Sequence, residues 1–297
     1  MNSYPDRPLL PRLLILLLLL PVPGMAGSVS VEDFAGRTVT LAAPARRIVA
    51  LAPHIVENIF SAGAGDRLVG VVSYSNYPEA ARKIPRVGSY NAFSLETIAS
   101  LEPDLIVMWG SGNGMQSLAR LELLGIPVFV SEPRQLEDIP RTIRDLGTLA
   151  GTRPGSEARA LEVEQALGSL RAAYSNRRPL KVFYEIWNEP LQTINGEHLI
   201  SQLIGLCGGR NIFADLTTLA PRVSIESVLA RAPDAIVASG MGESRPDWLD
   251  QWRQYPALPA ASNNALFFVP PDHLQRPTAR VLFGARALCE QLDTARP

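Results

Sequence analysis

The sequence predicts an α/β protein of two related Rossmann-like lobes joined by a single long α-helix. Three observations carry this. A segment occurs twice at a fixed offset of 130 residues, from Ser94 to Ser224. Short apolar runs alternate with helix-period patterns on both sides of the chain's middle, as parallel sheets covered by helices require. Between the halves lies a stretch, 156–176, with no proline and one glycine, Gly168. Its Val163, Leu167, Leu170 and Tyr174 form one helical stripe. The expected organisation is a targeting segment at 1–26, a lobe at 27–155, the linking helix at 156–178 and a second lobe at 179–297.

The repeat has a readable physics. Its first copy runs Ser94-Leu95-Glu96-Thr97-Ile98-Ala99, then Pro103-Asp104-Leu105-Ile106-Val107, and closes at Gly110. Its second runs Ser224-Ile225-Glu226-Ser227-Val228-Leu229, then Pro233-Asp234-Ala235-Ile236-Val237, and closes at Gly240. Ser94 and Ser224 are placed to cap helices, their hydroxyls accepting from orphan N–H groups. Glu96 and Glu226 fall in the first turn, where the helix dipole favours an anion. The prolines end the helices, and each apolar run suits a strand buried on both faces. Fixed-period self-similarity argues for two structural units rather than one large sheet.

The remaining elements follow in order. Residues 27–45 read as a lead-in strand and turn, 47–51 as a strand, 54–62 as a helix stopped near Gly63, and 68–72 as a strand. Residues 86–88 make a short strand and 105–109 a longer one. A helix at 115–124, a strand at 128–130 and a helix at 139–150 complete the first half. In the second half, strands are expected at 182–186, 192–194 and 266–269, and helices at 198–206 and about 278–292. Trp248 and Trp252 mark a Trp-rich segment between them.

Composition narrows the class. Hydrophobic content of 46% and charge of 19% fit an ordered globular protein. A formal net charge of −1 gives no electrostatic case for nucleic acid or an anionic membrane. Arg7 and Arg12 precede the apolar run 13–20, too short to span a bilayer, and Gly24-Met25-Ala26 suits a signal-peptidase site. The mature chain is therefore expected to be exported and soluble, without an N-terminal lipid anchor. Cys207 and Cys289 are an even pair for an oxidising compartment. A disulfide is the favoured reading, with two buried free thiols as the alternative.

Ligands of open α/β sheets bind beyond the carboxyl ends of the strands. Tyr74, Trp109, Trp187 and the run Asp272, His273, Leu274, Gln275, Arg276 fall at such ends, and Tyr90 lies in the loop before the first repeat helix. Several aromatics in one cleft would suit a large, flat, partly apolar ligand; each could instead cap its own lobe's core. Gly110-Ser111-Gly112-Asn113-Gly114 could present N–H groups to a phosphate or amide, although a plain strand-to-helix turn is the simpler account. His54, His198 and His273 show no metal-ligand spacing, so no metal is expected; polar surface or capping roles are. Trp187-Asn188-Glu189-Pro190, with Glu185 nearby, resembles an acid/base signature of some glycoside hydrolases, with Glu189 in the catalytic role. That signature belongs on an eight-fold barrel, which a two-fold repeat does not make.

Over essentially all of its mature length the chain resembles the periplasmic cobalamin-binding proteins of vitamin B12 ABC importers (class III substrate-binding proteins). The run Ser73-Tyr74-Ser75-Asn76-Tyr77-Pro78 carries the resemblance, with Ser94-Leu95-Glu96, the strand ending at Trp109, Cys207-Gly208-Gly209-Arg210-Asn211-Ile212-Phe213, and Gln275-Arg276-Pro277. The resemblance implies two α/β lobes with cobalamin held in the cleft between them as cargo, a monomeric non-enzymatic receptor, and delivery to an inner-membrane ABC permease. It puts Tyr74, Tyr90 and Trp109 on the first lobe's side of the cleft and Asp272 to Arg276 on the second's. Tyr90 and Ala220 stand where the family has tryptophan, and we assign Trp187 as a compensating aromatic. Glu96 and Glu226 would dock the permease. Haem- and ferric-siderophore-binding relatives share the two-repeat architecture and are the alternative.

Overall fold

The computed structural model describes Met1, residues 27–240, 242 and 244–296. The targeting segment expected at 1–26 lies, beyond Met1, outside the described residues. Among these residues no helix is long and apolar enough to cross a membrane.

The chain opens with an antiparallel hairpin, β1 (Val29–Glu32) and β2 (Thr38–Leu41). The first lobe then comprises β3 (Ile48–Ala50), α1 (Pro53–Ser61), β4 (Leu68–Val71), β5 (Gly88–Ser89), β6 (Ala92–Phe93), α2 (Leu95–Ser100), β7 (Leu105–Trp109), α3 (Gly110–Asn113), α4 (Gln116–Glu122), β8 (Val128–Ser131) and α5 (Asp138–Ala150). The long helix α6 (Arg153–Tyr174) follows. The second lobe comprises β9 (Leu180–Glu185), β10 (Trp187–Asn188), β11 (Leu191–Gln192), α7 (Leu199–Leu206), β12 (Gly209–Asn211), α8 (Ile225–Arg231), β13 (Ala235–Ala238), α9 (Pro259–Ser262), β14 (Leu266–Phe268), α10 (Pro271–Leu274) and α11 (Val281–Thr294).

Each lobe is built on a four-stranded parallel sheet, ordered β4-β3-β7-β8 in the first and β12-β9-β13-β14 in the second. The central strands β3 and β13 are buried throughout, and β7 and β9 at all but one residue each, as strands covered on both faces should be. The repeat holds in atomic detail. Ser94 Oγ accepts from Thr97 N–H at 3.1 Å and Ser224 Oγ from Ser227 N–H at 3.2 Å. Asp104 accepts from the backbone of Arg46 and Arg47 beside β3, and Asp234 from that of Lys181 in β9. Even the turn before each proline matches: Glu102 and Ala232 are left-handed, with φ of 46° and 44°.

The linking helix begins at Arg153, three residues before the expected start, because Pro154 sits in its first turn, where a missing N–H costs nothing. Ser156 is therefore inside the helix rather than its cap, and its Oγ bonds back to Arg153 O at 3.2 Å. Val163 and Leu167 are buried as the stripe requires. One apolar cluster runs from Ile55 and Ile59 of the first lobe through these residues to Leu203 and Leu288 of the second. Cys207, at the end of α7, is bridged to Cys289 on α11 across 82 residues of sequence.

Candidate functional site

The first lobe's strand ends present a cluster of aromatics. Trp109 ends β7, half-buried, its backbone N–H donating to Asn113 Oδ1 at 2.6 Å. The buried Asn113 amide donates to Leu51 O at 2.9 Å and to Tyr90 O, tying the β5–β6 hairpin to the end of β7. The Tyr90 and Trp109 rings consequently lie 6.0 Å apart, centroid to centroid. The glycine-rich stretch after Trp109 folds as α3, in whose first turn the Ser111 amide and hydroxyl are taken by the Glu132 carboxylate at 2.6 and 2.9 Å. Those groups thus serve this chain's own carboxylate.

Beneath Trp109 lies His54, its ring edge-on at 5.1 Å. Burial, followed by the nearby Arg276 charge, pushes His54 down to about 3, so the ring is neutral at physiological pH. Among the described residues its Nε2 is buried without a hydrogen-bond partner. The expected surface or capping role is corrected here: the cap position of α1 is Ala52, and His54 packs into the floor under Trp109. His198, in contrast, does cap α7, Nδ1 accepting from Ile200 N–H at 3.1 Å.

Tyr74 follows β4 in the left-handed region, with φ of 64° and 77% of its surface exposed. The second lobe reaches it. Arg276 donates from Nη2 to Tyr74 O at 3.4 Å and from Nη1 to Asn76 Oδ1 at 3.3 Å. Arg276 is also paired with Glu57 on α1 at 2.8 Å and Asp272 at 2.9 Å. The structure thus brings Tyr90 to Trp109 and Arg276 to Tyr74. Trp187 packs in its own β10–β11 hairpin, its indole N–H donating to Glu189 O at 2.8 Å.

The run 272–276 divides by burial. Gln275 is exposed, Asp272 and Arg276 are half-buried in the charged cluster, and His273 lies 5.7 Å from the Phe283 ring. Leu274 corrects the expectation that the whole run faces the cleft: it has no exposed surface and packs into the core, because α10 turns that side chain inward. Glu57 and Phe283 were missed; Phe283 is 55% exposed at the start of α11. Nothing local in the sequence marks Glu57, whose partners lie more than 200 positions away.

Glu96 and Glu226 are exposed in the first turns of α2 and α8, one on each lobe. Glu226 is held below the usual carboxylate range by its own backbone N–H and then by Ser224. The Glu185/Glu189 pair does not make a hydrolase site of the expected kind. Glu185 is buried and accepts from Trp252 Nε1 at 2.7 Å, Glu189 is exposed in a turn, and the sheets are two open four-stranded layers rather than a closed barrel. Among the described residues no group of three or more His, Cys, Asp or Glu is placed to hold a metal ion.

Comparison with known proteins agrees with this architecture. The periplasmic binding protein family matches residues 48–273. A vitamin B12-binding protein of Vibrio campbellii is 35% identical, over 85% of this chain and 91% of the relative. One from Vibrio cholerae is 36% identical, over the same shares of the two chains. The crystal structure of the periplasmic vitamin B12 binding protein BtuF of Vibrio cholerae is similar at a TM-score of 0.77 and 35% identity, covering 85% of this chain and 98% of that one. The periplasmic heme-binding protein RhuT from Roseiflexus sp. RS-1 shares the fold at a TM-score of 0.73 and 24% identity, covering 84% and 99%.

Proposed function

The chain belongs to the periplasmic binding protein family, and from that premise we propose that it captures cobalamin (vitamin B12) in the periplasm and delivers it to an ABC-type permease of the inner membrane. The observation that carries this reading is the aromatic cluster at the first lobe's strand ends. Tyr90 and Trp109 are 6.0 Å apart and Tyr74 is exposed in the loop after β4, aromatics suited to a large, flat, partly apolar ring system. Asp272, His273, Gln275 and Arg276 face it from the second lobe, with Trp187 as a further aromatic. Relatives named vitamin B12-binding proteins, 35% and 36% identical, support this ligand over haem, whose named binder is 24% identical. In this reading cobalamin is cargo and the protein is a monomeric receptor rather than an enzyme.

Delivery would use Glu96 and Glu226. The repeat gives each lobe one exposed carboxylate at an equivalent helix start, a two-point dock for arginines on a two-fold symmetric permease. The ligand assignment is tested by the visible spectrum of protein purified from a cobalamin-fed host. Corrinoid absorption is expected; a Soret band in its place would assign the protein to haem.

A further inference from the structure

Glu57 is buried on α1 of the first lobe, yet among the described residues its carboxylate is served entirely by the second. Oε1 accepts from Arg276 Nη1 at 2.8 Å and Arg280 Nη1 at 3.2 Å, and Oε2 accepts from Thr278 Oγ1 at 2.9 Å. The next residue, Asn58, donates from Nδ2 to Pro277 O at 3.0 Å. A buried carboxylate facing two guanidiniums and a hydroxyl is a strong, geometrically specific anchor.

Both arginines then reach back to the first lobe, to a single loop. Arg276 bonds Tyr74 O and Asn76 Oδ1, and the Arg280 guanidinium lies 4.2 Å over the Tyr77 ring. Asp272 completes the cluster, pairing with Arg276 at 2.9 Å and Arg280 at 3.4 Å. The loop needs holding. A positive φ is uncommon for a bulky residue such as Tyr74, and a ring 77% exposed has little packing to fix it. From its own lobe the loop has Arg86 on Ser75 O at 3.0 Å, the Asn76 N–H on Tyr74 O at 3.0 Å, the Ser75 N–H on Val72 O at 3.4 Å and, at its start, the Ser73 N–H on Gly88 O at 2.8 Å.

We propose that Glu57 is a positioning residue for the ligand cleft: by anchoring Arg276 and Arg280 it makes the second lobe hold the first lobe's Tyr74 ring in place. Resting on the cobalamin reading, the inference gives Arg276 a role beyond facing the ligand. With Nε on Asp272, Nη1 on Glu57 and Asn76, and Nη2 on Tyr74 O, most of its N–H donors are already committed within the protein. Glu57 affects affinity without touching the ligand.

The test is a double-variant cycle in cyanocobalamin titrations of wild type, Glu57→Gln, Tyr74→Ala and the pair. Glu57→Gln is expected to weaken binding about tenfold, but less than about twofold when Tyr74 is already alanine. Equal losses in both backgrounds overturn the proposal, since a merely structural role acts whether or not the ring is present. So does Glu57→Gln binding within about twofold of wild type. Should Glu57→Gln not fold, Asn76→Ala cuts one of the two Arg276 bonds to the loop and leaves the buried charges intact; its loss must likewise vanish beside Tyr74→Ala, or the proposal fails. Amide exchange at residues 74–77 is read without ligand, so it stands even if wild type binds no cobalamin. Faster exchange there in Glu57→Gln supports the anchor, and unchanged exchange overturns it.

Discussion

Gly112 lies directly under the Trp109 indole: a Cβ at Gly112 would stand 1.8 Å from Trp109 Cε3. No side chain fits that gap, so glycine here lets α3 serve as the shelf on which the indole rests. Gly112→Ala should tilt the ring away from His54 and Tyr90. The expected result is a loss of cobalamin affinity of about tenfold, or ~1.4 kcal/mol. Melting should move little, because the edge-to-face contact contributes only about 0.5–1.5 kcal/mol. Tryptophan fluorescence and titration check it; unchanged affinity with a shifted emission would separate the ring from binding.

Glu185 sets a pH dependence whose sign is fixed. Burial pushes its carboxyl up to about 8 from the ordinary 4.5, against the Trp252 indole N–H. A raised folded value means its relative contribution is full below pH 4.5 and is lost as pH rises to 8. The loss approaches ~1.4 kcal/mol per pH unit over that window. Glu185→Gln keeps an acceptor for Trp252 and removes the proton. It should match wild type near pH 4.5 and be more stable by a few kcal/mol at pH 8, read by denaturant midpoints at the two pH values.

The Cys207–Cys289 bridge closes a loop spanning 82 residues, worth ~4.5 kcal/mol on the chain-entropy account. Reduction should lower the melting temperature by more than about 5 °C. Alkylation of unfolded, unreduced protein should add no mass; two added alkyl groups would refute the bridge.

Glu96→Ala with Glu226→Ala should leave cobalamin affinity within about threefold and strongly reduce uptake in a reconstituted system, because charge pairing of this kind acts on association with the permease. Normal transport by the double variant would leave the two carboxylates only their helix-dipole role, ~0.3–1 kcal/mol each.

Much of this architecture was legible because it is local. Ser94 and Ser224 announce their helices, the apolar runs at 105–109 and 235–238 announce buried strands, and the offset between them announces two lobes. The start of α6 was placed three residues late, because a proline such as Pro154 is tolerated in a helix's first turn. The three-residue β12 was not anticipated, since Gly209-Arg210-Asn211 has no apolar pattern and pairs only because β9 lies beside it. Of the candidate site, Tyr74, Trp109 and Trp187 were singled out from their places at strand ends and Tyr90 from the loop before the first repeat helix. His54 and Glu57 were not, because their burial depends on Trp109 and Arg276, far along the chain. Leu274 was carried along by its neighbours, and only the turn of α10 tells it from Arg276.

The central claim is tested most directly by calorimetric titration of the purified mature protein with cyanocobalamin. Saturation at one site with a Kd tighter than ~10 µM is the predicted result. No binding in that range, together with a Soret shift on adding haem, would contradict it.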